Sequence, residues 1–336
     1  MFKSKADRLF EKAKDAFRYR NGGDAAFAQI EQAAEMGSYD AKGFLMEYCT
    51  APGSEYHDGA KGARACEDLI RKCDMPLAKF QLGRLYYWGD GVEQDFSKAY
   101  RLFSEAAGAK KYRAPQGNGY IGAMYFWGDG VPQSYEEAAK YITGRSTLTF
   151  CDHEGDVLYC YHYMRLYGLG GCPRCEKDAW ENLLNISRWK DLSPRTRQAC
   201  LNLICNHELD LFDKLVGEEH LNSGAIRLCL SHLRSISESG LFAASCAMAY
   251  YYLTHSVTHT RTLKNRETGE VEVLSERTES YDEEAGVCLK RVRAQLEHAP
   301  KEKRELKYAQ LLLESSHKMD QLEPGLSLKL TMYVMT

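Results

Sequence analysis

The stretch AKFQLGRLYYWGDGVEQDFSKAYRLF, residues 78–103, returns as GNGYIGAMYFWGDGVPQSYEEAAKYI at residues 117–142. Gly83 matches Gly122, Trp88-Gly89-Asp90-Gly91-Val92 matches Trp127-Gly128-Asp129-Gly130-Val131, and Ala99 matches Ala138, every pair 39 positions apart. A fixed internal period of this length marks a repeat architecture and settles the fold class before any single residue is read.

Within one copy, Ala78, Leu82, Leu85 and Tyr86 recur at the spacing of one helix face. The Trp-Gly-Asp-Gly-Val run then breaks the helix, because glycine takes positive φ cheaply and aspartate suits a turn. A second helix follows with Ala99, Leu102, Phe103, Ala106 and Ala107 on one face, and the small alanines let the two helices approach closely. Such a unit cannot bury its apolar face alone, so copies must stack into an all-α solenoid.

Ala78, Leu82, Gly83, Tyr86, Gly89, Gly91, Val92, Asp95, Lys98, Ala99, Ala106 and Ala107 together resemble the Sel-one-like repeat, a longer relative of the tetratricopeptide repeat. The resemblance implies a right-handed superhelix serving as an adaptor or scaffold without activity of its own. It also implies a second role held by some relatives, an immunity or inhibitor-type protein that neutralises one dedicated toxin or enzyme. Other relatives are secreted and carry disulfides between their helices.

Outward from the two clear copies the pattern weakens. Leu166-Tyr167-Gly168-Leu169-Gly170-Gly171 matches Phe126–Val131 at an offset of 40, with Ala179 opposite Ala139, which predicts a third copy over 156–189. Upstream, residues 4–19 and 24–36 read as a helix pair around Asn21-Gly22-Gly23, and 33–48 as a repeat junction followed by a long loop, Thr50–Gly62. Residues 1–190 are thus expected to hold four to five repeats, and 191–336 a divergent helical continuation or cap. Helices are predicted at 196–205, 209–216, 225–237, 241–255, 281–298 and 301–318, with an extended tail at Leu326–Met335. Residues 257–264 and 270–277 alternate with period two around Asn265–Gly269 and predict a β-hairpin.

Composition fits a binding protein. The 336 residues carry a net charge of −3, which gives no electrostatic preference for nucleic acid or an anionic membrane. No apolar run is long enough to span a bilayer, and the charged N-terminus lacks a secretory core, so a cytoplasmic protein is expected. The twelve cysteines are scattered along helical stretches and read mainly as buried reduced thiols.

Chemistry is sparsely signalled. Cys172-Pro-Arg-Cys175 is the one pair with metal or redox spacing, and Cys151, His153, Cys160 and His162 lie upstream as conceivable further zinc ligands. Against it, no second CxxC exists and no β-α-β context surrounds it. The Gly-Asp-Gly turns end helices and present carbonyls, whereas phosphate loops present amides. Neighbouring acids such as Glu136-Glu137 point apart on a helix. No catalytic residue and no cofactor are expected.

Binding residues are better marked. Three consecutive aromatics end each first helix, Tyr86-Tyr87-Trp88 and Tyr125-Phe126-Trp127. Tyr86 and Tyr125 fall on the family's packing position. Tyr87, Trp88, Phe126, Trp127 and, in the third copy, Tyr163 are the candidates to line a groove for a protein or peptide partner. Packing between repeats is the competing role for the same side chains.

Overall fold

The computed structural model describes residues 4–18, 23–111, 113–144, 154–189, 192–217, 224–264 and 271–335. Its contacts divide the chain into two units, Met1–Arg197 and Gln198–Thr336.

The first unit is a run of helix pairs: α1 (Lys5–Arg18) with α2 (Gly23–Glu35), α3 (Tyr39–Thr50) with α4 (Gly59–Cys73), α5 (Pro76–Trp88) with α6 (Phe96–Gly108), α7 (Gln116–Trp127) with α8 (Tyr135–Ile142), and α9 (Gly155–Tyr167) with α10 (Glu176–Ile186). A 3-10 turn, Leu169–Gly171, joins the last pair. The members of each pair pack together, and each second helix also touches the next first helix. First helices touch one another as well, α1 on α3, α3 on α5 and α7 on α9. This is the stacking of a solenoid.

Local chemistry sets the helix ends. Side chains of Ser38, Asp58, Asp95 and Ser134 accept the backbone N–H three residues on and start α3, α4, α6 and α8. Gly89, Gly128 and Gly168 end α5, α7 and α9 in the left-handed conformation, at φ 69°, 79° and 68°. After the turn, the Asp95 amide donates to the Tyr86 carbonyl and the Ser134 amide to the Tyr125 carbonyl, both at 3.0 Å. The side chains of Gln94 and Gln133 donate from Nε2 to the carbonyls of Tyr87 and Phe126, both at 2.9 Å.

The second glycine of each turn has a different task. A Cβ on Gly91 would sit 2.0 Å from the Ala60 amide, one on Gly130 2.6 Å from the Phe96 Cβ, and one on Gly170 2.1 Å from the Tyr135 carbonyl. Each turn therefore rests on the first residues of the preceding repeat's second helix, α4, α6 or α8. Only a glycine fits there, since φ is also positive at all three. The glycine within each first helix acts similarly, Gly83 against the Phe103 ring and Gly122 against Ile142.

α4 starts at Gly59, inside the predicted loop, because Asp58 caps it and Gly59 lies under Asp90. The third copy also differs in register. The Cys175 amide donates to the Arg165 carbonyl, and Ala179 then donates to Cys175 as Ala138 does to Ser134. Ala179 is thus the counterpart of Ala138, not Ala139. The extra residue lies in the turn beyond Gly170, where Gly171 adds one more positive φ, 77°.

The second unit takes up α11 (Pro194–Gly217) from Gln198 onward, and continues with α12 (Gly224–Glu238), α13 (Phe242–Thr254), α14 (Asp282–Leu296), α15 (Lys303–Leu313), α16 (Ser316–Leu322) and α17 (Leu326–Met335). α13 is buried nearly all round and is packed by α12, α14 and α15. The two helices predicted at 196–205 and 209–216 are one continuous helix, and 301–318 is broken into α15 and α16. The tail is helical rather than extended, with Leu326, Leu330 and Tyr333 buried at helical spacing. Between α13 and α14, β1 (Ser256–Lys264) and β2 (Val271–Ser280) pair antiparallel, Ser256 opposite Ser280 and Lys264 opposite Val271. The register shifts once, between Arg261 and Thr262. The predicted turn, Asn265–Gly269, lies outside the described residues.

The seating of the second glycine can be tested against a turn glycine that has strain alone. Gly171→Ala meets nothing within 4 Å and should lose only the ~1–2 kcal/mol of a left-handed alanine. Gly91→Ala adds a collision with backbone and should cost at least ~1 kcal/mol more in urea unfolding. Equal costs would show that the contact with α4 is dispensable.

Candidate partner-binding site

The aromatics at the ends of α5, α7 and α9 divide into two sets. Tyr87 and Phe126 are core residues, 1% and 3% exposed. Tyr87 is ringed by Phe96, Phe103 and Tyr120 with centroids 5.6, 6.3 and 5.8 Å away, and Phe126 by Tyr135, Tyr159 and Tyr163 at 5.4, 6.2 and 5.3 Å. This corrects the expectation that both line a groove. A first helix buries two faces, one against each neighbouring repeat. Ala78, Leu82 and Leu85 face back, whereas Phe80 and Tyr87 face forward onto α6 and α7.

Tyr86 and Tyr125, expected in the core, are half-buried instead. Lys98 Nζ lies 4.9 Å over the Tyr86 ring, and Tyr125 stacks on Tyr141 at 5.8 Å. Trp88, Trp127 and Tyr163 are half-buried too. Trp127 stacks on Tyr159 with the rings 2° from parallel, and Tyr163 leads to Tyr167, which is 49% exposed. The three repeats thus bring together a row of aromatics that keep part of their surface in solvent.

A polar cluster sits within this row. Tyr87 donates its hydroxyl proton to Asp129 Oδ2 at 2.5 Å. Arg195, the second residue of α11, grips the same carboxylate with both prongs, Nη1 to Oδ1 at 2.9 Å and Nη2 to Oδ2 at 2.6 Å. Nη2 also donates to the Tyr87 hydroxyl at 2.7 Å. The guanidinium carbon lies 4.6 Å from the Trp127 ring centre and 5.9 Å from that of Trp88. Burial is the largest single influence and opposes the Arg195 charge, but the hydrogen bonds it donates to Asp129 and Tyr87, together with their charges, outweigh it and the pKa is raised. Burial, then the Asp129 charge, also raises the Tyr87 phenol. The arrangement is a carboxylate fork with aromatic walls, suited to a planar cation.

Asp129 was visible in the sequence only as a turn residue, and Arg195 has no counterpart in any copy. The equivalent aspartate of the previous turn, Asp90, pairs with His57 Nε2 at 3.2 Å. The cage therefore belongs to one turn and does not follow from the repeat.

The register of the third copy accounts for the CxxC pair. Cys172, Pro173, Arg174 and Cys175 occupy the places of Val131, Pro132, Gln133 and Ser134. Cys172 is buried as an apolar turn residue and Cys175 precedes α10 at the cap position. Burial raises the Cys172 thiol. Cys160 and His162 are buried on α9, while Cys151 and His153 lie outside the described residues. Among the described residues no group of three or more His, Cys, Asp or Glu could hold a metal, and the eleven described cysteines are free thiols. A hollow of about 900 Å³ lies elsewhere, beside Lys79, whose charge is already taken by Asp74 and Glu105 at 2.6 and 2.9 Å.

Stacked helix–turn–helix pairs with glycine-sealed turns define the class: a helical-repeat solenoid protein. Residues 76–109 and 117–143 match the Sel1 repeat family. No curated protein matches the chain. The solved structures that resemble it include two of this repeat type. One is a protective antigen present in uropathogenic Escherichia coli strains and displaying an SLR fold, with 18% identity over 99% of this chain and 76% of that one, TM-score 0.46. The other is a Sel1 repeat protein from Oxalobacter formigenes, with 16% identity over 73% of this chain and 90% of that one, TM-score 0.43. Among the described residues no helix is long and apolar enough to cross a membrane.

Two measurements follow from this geometry. A double-mutant cycle of Asp129→Asn and Arg195→Gln should give a coupling of about 1–2 kcal/mol, tempered because the Arg195 side chain is 37% exposed. An additive pair would mean the fork carries no energy. Separately, His162 is lowered from 6.5 to about 4, first by burial and then by Arg165. Its contribution is complete above pH 6.5 and disappears as the pH falls towards 4, a swing of up to ~3 kcal/mol. His162→Phe should flatten the stability profile between pH 7 and 4.5, and an unchanged slope would refute the assignment.

Proposed function

We propose that the protein is a non-catalytic scaffold that docks a segment of a partner protein along the aromatic row formed by Trp88, Trp127, Tyr163 and Tyr167. Sel1 repeats generally mediate protein–protein interaction, and nothing in the row asks for a chemical step. The observation that carries the reading is the division of labour among neighbours. Tyr87 and Phe126 do the packing, while the adjacent Trp88 and Trp127 keep exposed surface on rigid helix ends. Tryptophan and tyrosine held this way bind with little loss of side-chain entropy and are typical energetic anchors of interfaces.

A pull-down from native lysate with mass spectrometry tests it, comparing wild type with Trp88→Ala/Tyr163→Ala/Tyr167→Ala. A circular-dichroism spectrum matching wild type establishes that the variant is folded, as Tyr163 also packs on Phe126, and the captured protein should then fall at least about tenfold. One stoichiometric protein lost in this way fits a dedicated interaction, several weaker ones a general adaptor. Partners retained in full would move the docking surface away from this row.

A further inference from the structure

We propose that the cage around Arg195 is a receptor for an arginine side chain of the docking partner, and that Arg195 fills it when the partner is absent. The inference rests on the docking reading above and names the chemistry that the row would recognise.

The cage is specific for a guanidinium. Asp129 offers two oxygens to two parallel N–H donors, 2.9 and 2.6 Å away, and the Tyr87 oxygen accepts a third bond at 2.7 Å. A planar fork satisfies all three at once, whereas an ammonium is a point charge that cannot. The indole of Trp127, 4.6 Å from the guanidinium carbon, supplies a face for the same flat cation.

Arg195 is a poorly satisfied occupant. Its Nε is buried without a hydrogen-bond partner, a donor that was hydrated in the unfolded chain and gains nothing in exchange. It is also the second residue of α11, where a positive charge opposes the exposed amides of the helix N-terminus. An arginine on an extended segment of a partner has no such helix and can bring an acceptor for its own Nε. The way in is open, because more than a third of the Arg195 side chain faces solvent. Exchange leaves Asp129 and Tyr87 paired throughout, so neither buried group is stranded, and Arg195 is released to water.

The test is a titration of tryptophan fluorescence with acetyl-Gly-Arg-Gly-amide and its lysine counterpart. Arg195→Met keeps the alkyl stem and empties the fork, and Arg195→Gln serves if the first variant loses its circular-dichroism signature. The arginine peptide should saturate the vacated cage, and should bind wild type about tenfold more weakly because Arg195 competes. The lysine peptide should bind at least about tenfold more weakly than arginine, and adding Asp129→Asn should remove the preference. A folded variant that shows no saturation, or takes lysine equally well, overturns the proposal. The parent reading fails separately. If excess arginine peptide does not release a partner that the aromatic variant loses, docking stands and the arginine reading falls. If the peptide binds but no partner is captured, scaffold docking falls.

Discussion

The first unit depends on a steric condition met three times: the second glycine of each turn must lie directly against the residues that start the preceding second helix. Gly91 on α4, Gly130 on α6 and Gly170 on α8 leave no room for a Cβ, and all three also need positive φ. Hydrophobic contact alone is non-directional and would permit the helices to slide. The glycine seat, with the Gln94 and Gln133 side chains closing the turn behind it, fixes where one repeat ends against its predecessor.

Much of this was legible in the sequence because it is local. Alanine spacing, the Gly-Asp-Gly break and the 39-residue offset follow directly from helix periodicity and glycine chemistry. Face assignment was less legible. Tyr86 and Tyr87 are adjacent, and a helix that buries one face towards each neighbour offers two inward directions, so the family's packing position did not identify the deeper ring. The tail helix was missed for a similar reason: Leu326, Leu330 and Tyr333 mark one face, but the intervening Leu328, Met332 and Met335 are exposed and blur the period.

The cage could not be read at all from the repeat. It joins the end of α5, the turn after α7 and the start of α11, and its polar partners are 66 and 108 residues apart. Asp129 matches Asp90 in every local respect, yet one binds an arginine and the other a histidine. Two identical turns thus acquire different electrostatic partners from segments that do not themselves repeat. The CxxC pair shows the converse, an apparent chemical motif that turns out to occupy ordinary turn and cap positions once the one-residue shift is recognised.

Because each seat involves a turn and the repeat before it, the array has a direction. Every link points towards the N-terminus, so a whole unit copied into the chain arrives with its own seat and leaves the old ones undisturbed. A single added residue is accommodated where Gly171 sits, in the turn just after the seat and before the next cap; inside a helix it would rotate everything downstream by about 100°. The protein can therefore lengthen in whole modules, while partial insertions are confined to one short stretch per module. The glycine seat is in effect a ratchet on how such a chain can grow.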